Sequence, residues 1–137
     1  MGRILALDYG KKRTGIAVTD PLQIIATGLT TVDSQQLFEF LKDYTKKEVL
    51  EMIIIGEPYN LDGKATDATA AVKLCIRRLK NTFPEIPIQT VDESFTSKMA
   101  SRAMVEMGMK KKDRQKKGNI DEIAATIMLQ EYLEFRR

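Results

Sequence analysis

The sequence predicts a mixed α/β domain built on one five-stranded sheet of order 3-2-1-4-5, flanked by helices. Three observations predict it. Three short apolar runs separated by turn residues fill the first 32 positions, with the spacing of consecutive strands rather than of a helix. Two later apolar runs, Met52–Ile55 and Ile86–Val91, each follow an amphipathic segment of helical length. Such crossovers are right-handed and return parallel to the strand they left, so strands 1 and 4 lie side by side at the centre. A length of 137 residues makes residues 1–137 one domain, with a core that needs no disulfide or metal staple.

The first strand is Ile4–Tyr9, an apolar run that ends in a carboxylate, Asp8, followed by Gly10. A second run, Ile16–Val18, follows Gly15, and Lys11, Lys12 and Arg13 lie between the two. The simplest geometry is a hairpin with a buried first strand and a turn carrying three positive charges. Gly10 and Gly15 suit a tight turn or a closely approaching phosphate. The same residues also suit an ordinary solvated turn, so Asp8 becomes a site residue only if partners meet it.

After the Asp20-Pro21 turn, Ile24–Val32 reads as the third strand, with Gly28 marking a bulge or twist. Asp33-x-x-Gln36 reads as a capping box, opening a helix whose inward stripe is Leu37, Phe40, Leu41 and Tyr44. Met52–Ile55 is a strand buried on both faces, and it runs into the Gly- and Pro-containing loop Gly56–Gly63. A helix over Ala65–Thr82 turns Ala65, Ala68, Val72, Cys75 or Ile76, and Leu79 inward, and Phe83-Pro84 ends it. Cys75 reads as a small core hydrophobe rather than a nucleophile. The fifth strand, Ile86–Val91, delivers Asp92 and Glu93 at its carboxyl end. Ser94 or Thr96 caps a further helix with Met99, Ala100, Ala103 and Met104 inward, terminated by Gly108. Residues 110–117 read as a solvated connection. The final helix opens with a second capping box, Asn119-x-x-Glu122, and packs Ile120, Ile123, Ala124, Ile127 and Met128.

Composition narrows the chemistry. The chain has no histidine and one cysteine, which removes imidazole bases, the serine–histidine and cysteine–histidine pairs, and multi-cysteine zinc sites. A metal would be held by carboxylates, which favours Mg²⁺ or Mn²⁺. No apolar run is long enough for a signal core or a membrane span, so the reading is a reduced, cytoplasmic protein with no membrane partner. Net charge is +3, but Lys110, Lys111, Lys112, Arg114, Lys116 and Lys117 surround only Asp113. A basic patch on a nearly neutral domain suggests a polyanionic partner, nucleic acid first.

The expected topology sends Asp8, the Gly56–Gly63 loop and Asp92-Glu93 to the carboxyl edge of the sheet, where open sheets place ligands. Asp121 falls in the first turn of the final helix, where the helix dipole alone favours an acid. If that helix packs beside strand 1, Asp121 also faces Asp8. Three convergent carboxylates repel one another unless a divalent cation neutralises them, and a two-metal site hydrolyses phosphodiesters. Lys11, Lys12, Arg13 and the cations of residues 110–117 would hold the flanking phosphates, largely without regard to base sequence.

Four segments carry a specific resemblance: Leu7–Asp20, Gly56–Gly63, Val91–Ala100 and Lys117–Ala125, extended by Leu129–Leu133. In order and approximate spacing the chain resembles the YqgF family of small RNase H-like proteins, relatives of Holliday junction resolvases. The resemblance implies an RNase H-like fold and an endonuclease that matures the 5′ end of pre-16S ribosomal RNA, in contact with ribosomal precursor particles. The older reading of the family implies resolution of branched DNA. The acidic site carries over to Asp8, Glu93 and Asp121, as catalytic groups and metal ligands, with Asp92 a substitute or helper. Two positions depart from the family pattern. Glu57 stands where Leu is usual and adds a negative charge beside the phosphate path, and Ser94 stands where Arg is usual and removes a positive one. Two other functional classes remain open on these residues: a ribosome-assembly factor that binds nucleic acid without cutting it, and an ATP phosphotransferase, for which the chain lacks a second lobe.

Overall fold

Strands β1 (Arg3–Tyr9), β2 (Arg13–Thr19) and β3 (Ala26–Asp33) form an antiparallel meander. The computed structural model describes residues 2–57, 67–92 and 117–136, the side chains of 67–69, 92, 117–121 and 136 excepted. Helix α1 (Leu37–Lys47) leads to β4 (Leu50–Glu57), and α2 (Asp67–Thr82) leads to β5 (Ile88–Asp92). Both later strands are parallel to β1, and the sheet order is β3-β2-β1-β4-β5. That is the predicted order, and it follows from two helical crossovers returning on the same side of the meander. Helix α3 (Lys117–Arg136) closes the described chain. The helix expected over residues 94–108 lies outside the described residues, as does Ala65.

Strand alternation divides β1 between two cores. Leu5 and Leu7 join Ile16, Val18, Ile53 and Ile55 beneath α1 and α2, where Leu37, Phe38, Leu41, Val72, Cys75 and Leu79 cover them. Ile4 and Ala6 join Ala17, Ala26 and Ile54 beneath α3, against Ala125, Met128, Leu129 and Leu133. The four residues Ile4–Leu7 are fully buried, which is why β1 reads as a continuous apolar run. Each large side chain among them contributes about 1.5–3 kcal/mol of burial.

The α3 face of the sheet is built for close approach. Ala6 pairs with Ala17, and Ala17 with Gly28, so a row of small residues crosses three strands. A Cβ on Gly28 would stand 2.6 Å from Glu122 Oε1, 3.0 Å from Glu122 Cγ and 3.0 Å from Thr126 Oγ1. Thr126 is itself tied down, its hydroxyl donating to the Glu122 carbonyl at 2.9 Å. The expected bulge is present too: the β2–β3 register slips between Ile16 and Ala17, leaving Leu29 unpaired between Gly28 and Thr30. Gly28 therefore serves the helix contact as well as the bulge.

At the opposite end of the sheet the β2–β3 turn is held by Asp20. Its Oδ1 accepts the Ile24 and Ile25 N–H groups at 2.7 and 2.8 Å, and these bonds hold its carboxyl below the usual range. Ile24 and Ile25 consequently belong to the turn, and β3 begins at Ala26, two residues later than expected. Gln23 adopts a φ of 60° and donates through Nε2 to the Gly2 carbonyl at 2.8 Å and to Glu51, anchoring the turn to the beginnings of β1 and β4.

Three local expectations are corrected. The capping box at Asp33 does not form: Asp33 ends β3, a 3-10 turn spans Ser34–Gln36, and neither Asp33 nor Gln36 makes a side-chain cap bond. The α1 stripe keeps Leu37 and Leu41, fully buried, and gains Phe38, while Phe40 and Tyr44 are half-buried against the same core and stacked on one another. Helix α3 starts at Lys117, so Asn119 lies inside its first turn and Lys117 is helical rather than part of a connection. Its buried face is Ala124, Ala125, Met128, Leu129 and Leu133, with Ile123 and Ile127 half-buried. Ala125 packs with Ala6 and Ala17 of the small-residue row, where an isoleucine would hold the helix off the sheet.

Gly28→Val tests that contact. The added atoms have no room beneath Thr126, and overpacking of this kind destabilises by about 1–3 kcal/mol. Urea unfolding should show a lower midpoint with an unchanged slope; an unchanged midpoint would contradict the close approach.

Candidate active site

Asp8 is the third residue, after Ile4 and Ala6, on the α3 face of β1, and it is half-buried where they are fully buried. Its partner on β2 is Gly15. On the other side, Leu7 pairs with Ile55, so the next residue of β4 level with Asp8 is Gly56. Residues level with one another on adjacent strands share a face. No side chain therefore flanks the carboxylate on either neighbouring strand. The sequence signalled Gly15 as a turn residue and Gly56 as a loop residue. Only the register shows that the two bracket Asp8.

The β1–β2 hairpin is tight. The Gly10 N–H donates to the Arg13 carbonyl at 2.9 Å, so Lys11 and Lys12 form the tip, and both are exposed. A Cβ on Gly10 would stand 2.7 Å from that same carbonyl oxygen, so the closure requires glycine. Arg13 opens β2, half-buried and paired with Asp33 of β3. Ser34 then fastens the tip to the beginning of α1. Its N–H donates to the Lys12 carbonyl at 2.9 Å, its hydroxyl donates to the Gly10 carbonyl, and it shares a 2.9 Å bond with the buried Thr14 hydroxyl. Sequence reasoning took Ser34 for a passive member of a capping box. Nothing in its spacing from Gly10 signals the tie.

Asp92 is the last residue of β5 and pairs with Glu57 at the end of β4. Helix α3 runs opposite to β1. Glu122 and Thr126 lie over Gly28, and further along the helix the Tyr132 hydroxyl contacts Met52 Sδ at 3.2 Å and Gln89 Oε1 at 3.1 Å. Met52 pairs with Ile4, near the start of β1. The N-terminal end of α3 is thereby the end nearer the carboxyl edge where Asp8 lies, and because the helix starts at Lys117, Asp121 falls one turn inside it rather than in its first turn as expected. Glu93 and residues 110–116 fall outside the described residues, as do the side chains of Asp92, Lys117 and Asp121. Among the described residues no three acidic or cysteine side chains are grouped to hold a metal ion, and of the three candidate ligands only Asp8 has its side chain among them.

The opposite face of β1 ends in Tyr9, packed against the α1 and α2 core. Burial raises its hydroxyl above the ordinary phenol range, the nearby Cys75 thiol adds to the rise, and the Arg78 guanidinium opposes it. Burial also pushes the Cys75 thiol up to about 12. A thiol held that far above neutrality is no nucleophile, so Cys75 is a core residue.

With this geometry in hand the relationship of the chain to known proteins is direct. A family profile described as "RuvX: Holliday junction resolvase" matches residues 2–135. The chain belongs to the YqgF/RuvX family. It is 53% identical over 133 residues to the "Putative pre-16S rRNA nuclease" of Flavobacterium psychrophilum, covering 97% of each chain. Identity to the protein of the same name from Bacteroides thetaiotaomicron is 53% over 137 residues, covering 100% of this chain and 99% of the relative. Among solved structures, Thermus thermophilus RuvC in complex with a Holliday junction substrate superposes with a TM-score of 0.60 at 15% identity, over 99% of this chain and 96% of that one. At that identity the likeness establishes the fold alone, the RNase H-like architecture of this YqgF/RuvX chain.

Ser34→Ala removes the tie between the hairpin tip and α1 and leaves the buried Thr14 hydroxyl without that bond, a loss of about 1–3 kcal/mol. Amide exchange at Lys11, Lys12 and Arg13 should accelerate alongside. Unchanged stability together with unchanged exchange would show that the tip is held by something else.

Proposed function

We propose that the protein is a metal-dependent endonuclease that cuts phosphodiester bonds of precursor ribosomal RNA at the 5′ end of the 16S sequence, in the cytoplasm and on ribosomal precursor particles. The observation that carries the reading is relatedness over essentially the whole chain at 53% identity to proteins bearing that name. The surroundings of Asp8 support it: a half-buried carboxylate at the carboxyl edge, bracketed by Gly15 and Gly56.

In this reading Asp8, Glu93 and Asp121 hold Mg²⁺ or Mn²⁺, with Asp92 as a helper. The donor set fits such an ion, because every proposed ligand is a carboxylate oxygen and the chain has no histidine to recruit zinc. Bound there, the ions would supply Lewis-acid stabilisation of the charge that builds on the phosphate in the transition state. The part of the chain's own residues is positional. Asp8 is fixed by a strand whose preceding four residues are fully buried, and a rigid support of this kind keeps a reacting geometry within tolerance. The exposed Lys11 and Lys12, on a tip pinned by Ser34, meet backbone phosphates beside the site. Lys110, Lys111, Lys112, Arg114, Lys116 and Lys117 extend that contact.

A second reading, resolution of branched DNA, is favoured by the description of the matching family and shares the same acids. The two separate in one assay of precursor ribosomal RNA and four-way DNA junctions with Mg²⁺ or Mn²⁺. Wild type should cleave the RNA, and Asp8→Asn should slow cleavage at least about 100-fold, the scale of ~2.7 kcal/mol of transition-state stabilisation, with binding retained. Cleavage confined to the junction would select the second reading. Undiminished cleavage by Asp8→Asn would end both.

A further inference from the structure

The cations singled out so far lie on the hairpin tip and in residues 110–117, but the described residues contain another concentration. Helix α2 carries Lys73, Arg77, Arg78 and Lys80, all exposed, and after Asp67 no acid occurs before Glu85. At 3.6 residues per turn, Lys73, Arg77 and Lys80 fall within about 60° of one another around the helix and span about 10 Å along it. They form one stripe, facing away from the buried Val72, Cys75 and Leu79. Leu74, 63% exposed, is the one large apolar side chain beside the stripe.

Arg78 lies about 100° round the helix from Arg77, off that stripe, and packs on α1. Its guanidinium carbon lies 4.0 Å from the centre of the buried Phe38 ring, a cation–π contact that fixes the side chain. Phe38 sits in the first turn of α1, four residues after Ser34, and Ser34 is bonded to Gly10 and Lys12 at the hairpin tip. Arg78 also acts on the Tyr9 hydroxyl at the end of β1. These contacts tie α2 to the beginning of α1 and α1 to the hairpin tip, although the exposed acids Asp33 and Glu39 lie between the cations of the tip and those of α2. On the other face of the sheet, α3 exposes Glu131 and Glu134.

We propose that the outer face of α2, through Lys73, Arg77 and Lys80, is a second phosphate-binding surface that carries the nucleic-acid duplex away from the Asp8 edge. The inference rests on the nuclease reading for its ligand and adds the path that the ligand follows. No aromatic side chain lies on the exposed stripe, so the surface has nothing on which to stack a base and reads phosphate rather than sequence. A second copy of this chain is a poor occupant. A two-fold contact would set three cations against the same three, and like charges at an interface oppose it.

The test compares wild type with the triple variant Lys73→Gln/Arg77→Gln/Lys80→Gln, which keeps good helix formers at all three positions. Fluorescence anisotropy with a short DNA duplex and with a short RNA duplex gives the salt dependence of affinity. Loss of three phosphate contacts should lower the slope of log K against log salt by about 2.7 on the DNA duplex, so that raising salt from about 50 to about 200 mM weakens wild type about 40-fold more than the variant. Lys73→Arg/Lys80→Arg should keep the wild-type slope, which separates charge from any effect on folding, and Glu131→Gln/Glu134→Gln should not lower it. An unchanged slope in the triple variant overturns the proposal and leaves the nuclease reading intact. A lowered slope in a wild-type background that cleaves neither RNA nor DNA ends the nuclease reading and leaves the surface standing.

Discussion

The arrangement depends on how closely α3 can lie on the sheet. The row Ala6–Ala17–Gly28 offers almost no side-chain height across three strands, and the helix answers with Ala125 and the tied-down Thr126. Packing at this distance fixes where the N-terminal end of α3 comes to rest. That end carries Asp121, beside the Glu122 that lies over Gly28 of β3, and β1, two strands away, carries Asp8 two residues beyond Ala6. The residues that bring the two acids to one end of the sheet are therefore small apolar ones with no chemistry of their own. A packing constraint on the α3 face sets the geometry of the candidate site.

Charge is distributed with the same economy. The exposed acids Glu131 and Glu134 lie on α3, and the cations of α2 lie on the other side of the sheet, where α1 also exposes Glu39 and Asp43. A net charge of +3 conceals this local clustering. Glu57, paired with Asp92 at the end of β4 and β5, adds to the local negative charge and strengthens the demand for a cation.

Much of the fold was legible because the signals were local. The continuous apolar run of β1, the two crossovers and the turn at Asp20 dictate the order β3-β2-β1-β4-β5 without tertiary knowledge. Cys75 was legible for the same reason: an isolated thiol on the inward stripe of a helix is a core residue. The misreadings came where two signals competed. Asp33-x-x-Gln36 has the form of a capping box, but Ser34 is drawn into the Gly10–Thr14 hairpin, and the helix starts a turn later. Ile123 and Ile127 outrank alanine on any hydrophobicity scale, yet they are half-buried while Ala125, against the small-residue row, is fully buried. Of the site, Asp8 and its edge could be read in the chain, whereas the flanking of Asp8 by Gly15 and Gly56 is a matter of register. The basic stripe of α2 was overlooked because exposed lysines and arginines on a helix ordinarily mean solvation. The packing of Arg78 on Phe38 is a contact between elements that no local pattern encodes.

The claim on which the functional account turns is that Asp8, Glu93 and Asp121 share divalent ions. Paramagnetic broadening by Mn²⁺ tests it directly, because the effect falls steeply with distance from the ion. The account predicts that substoichiometric Mn²⁺ broadens the backbone amide signals of residues 8, 93 and 121 together, and that Asp8→Asn weakens the effect at all three. Broadening that reaches these residues at different Mn²⁺ concentrations, or that centres on Glu131 and Glu134 instead, would contradict it.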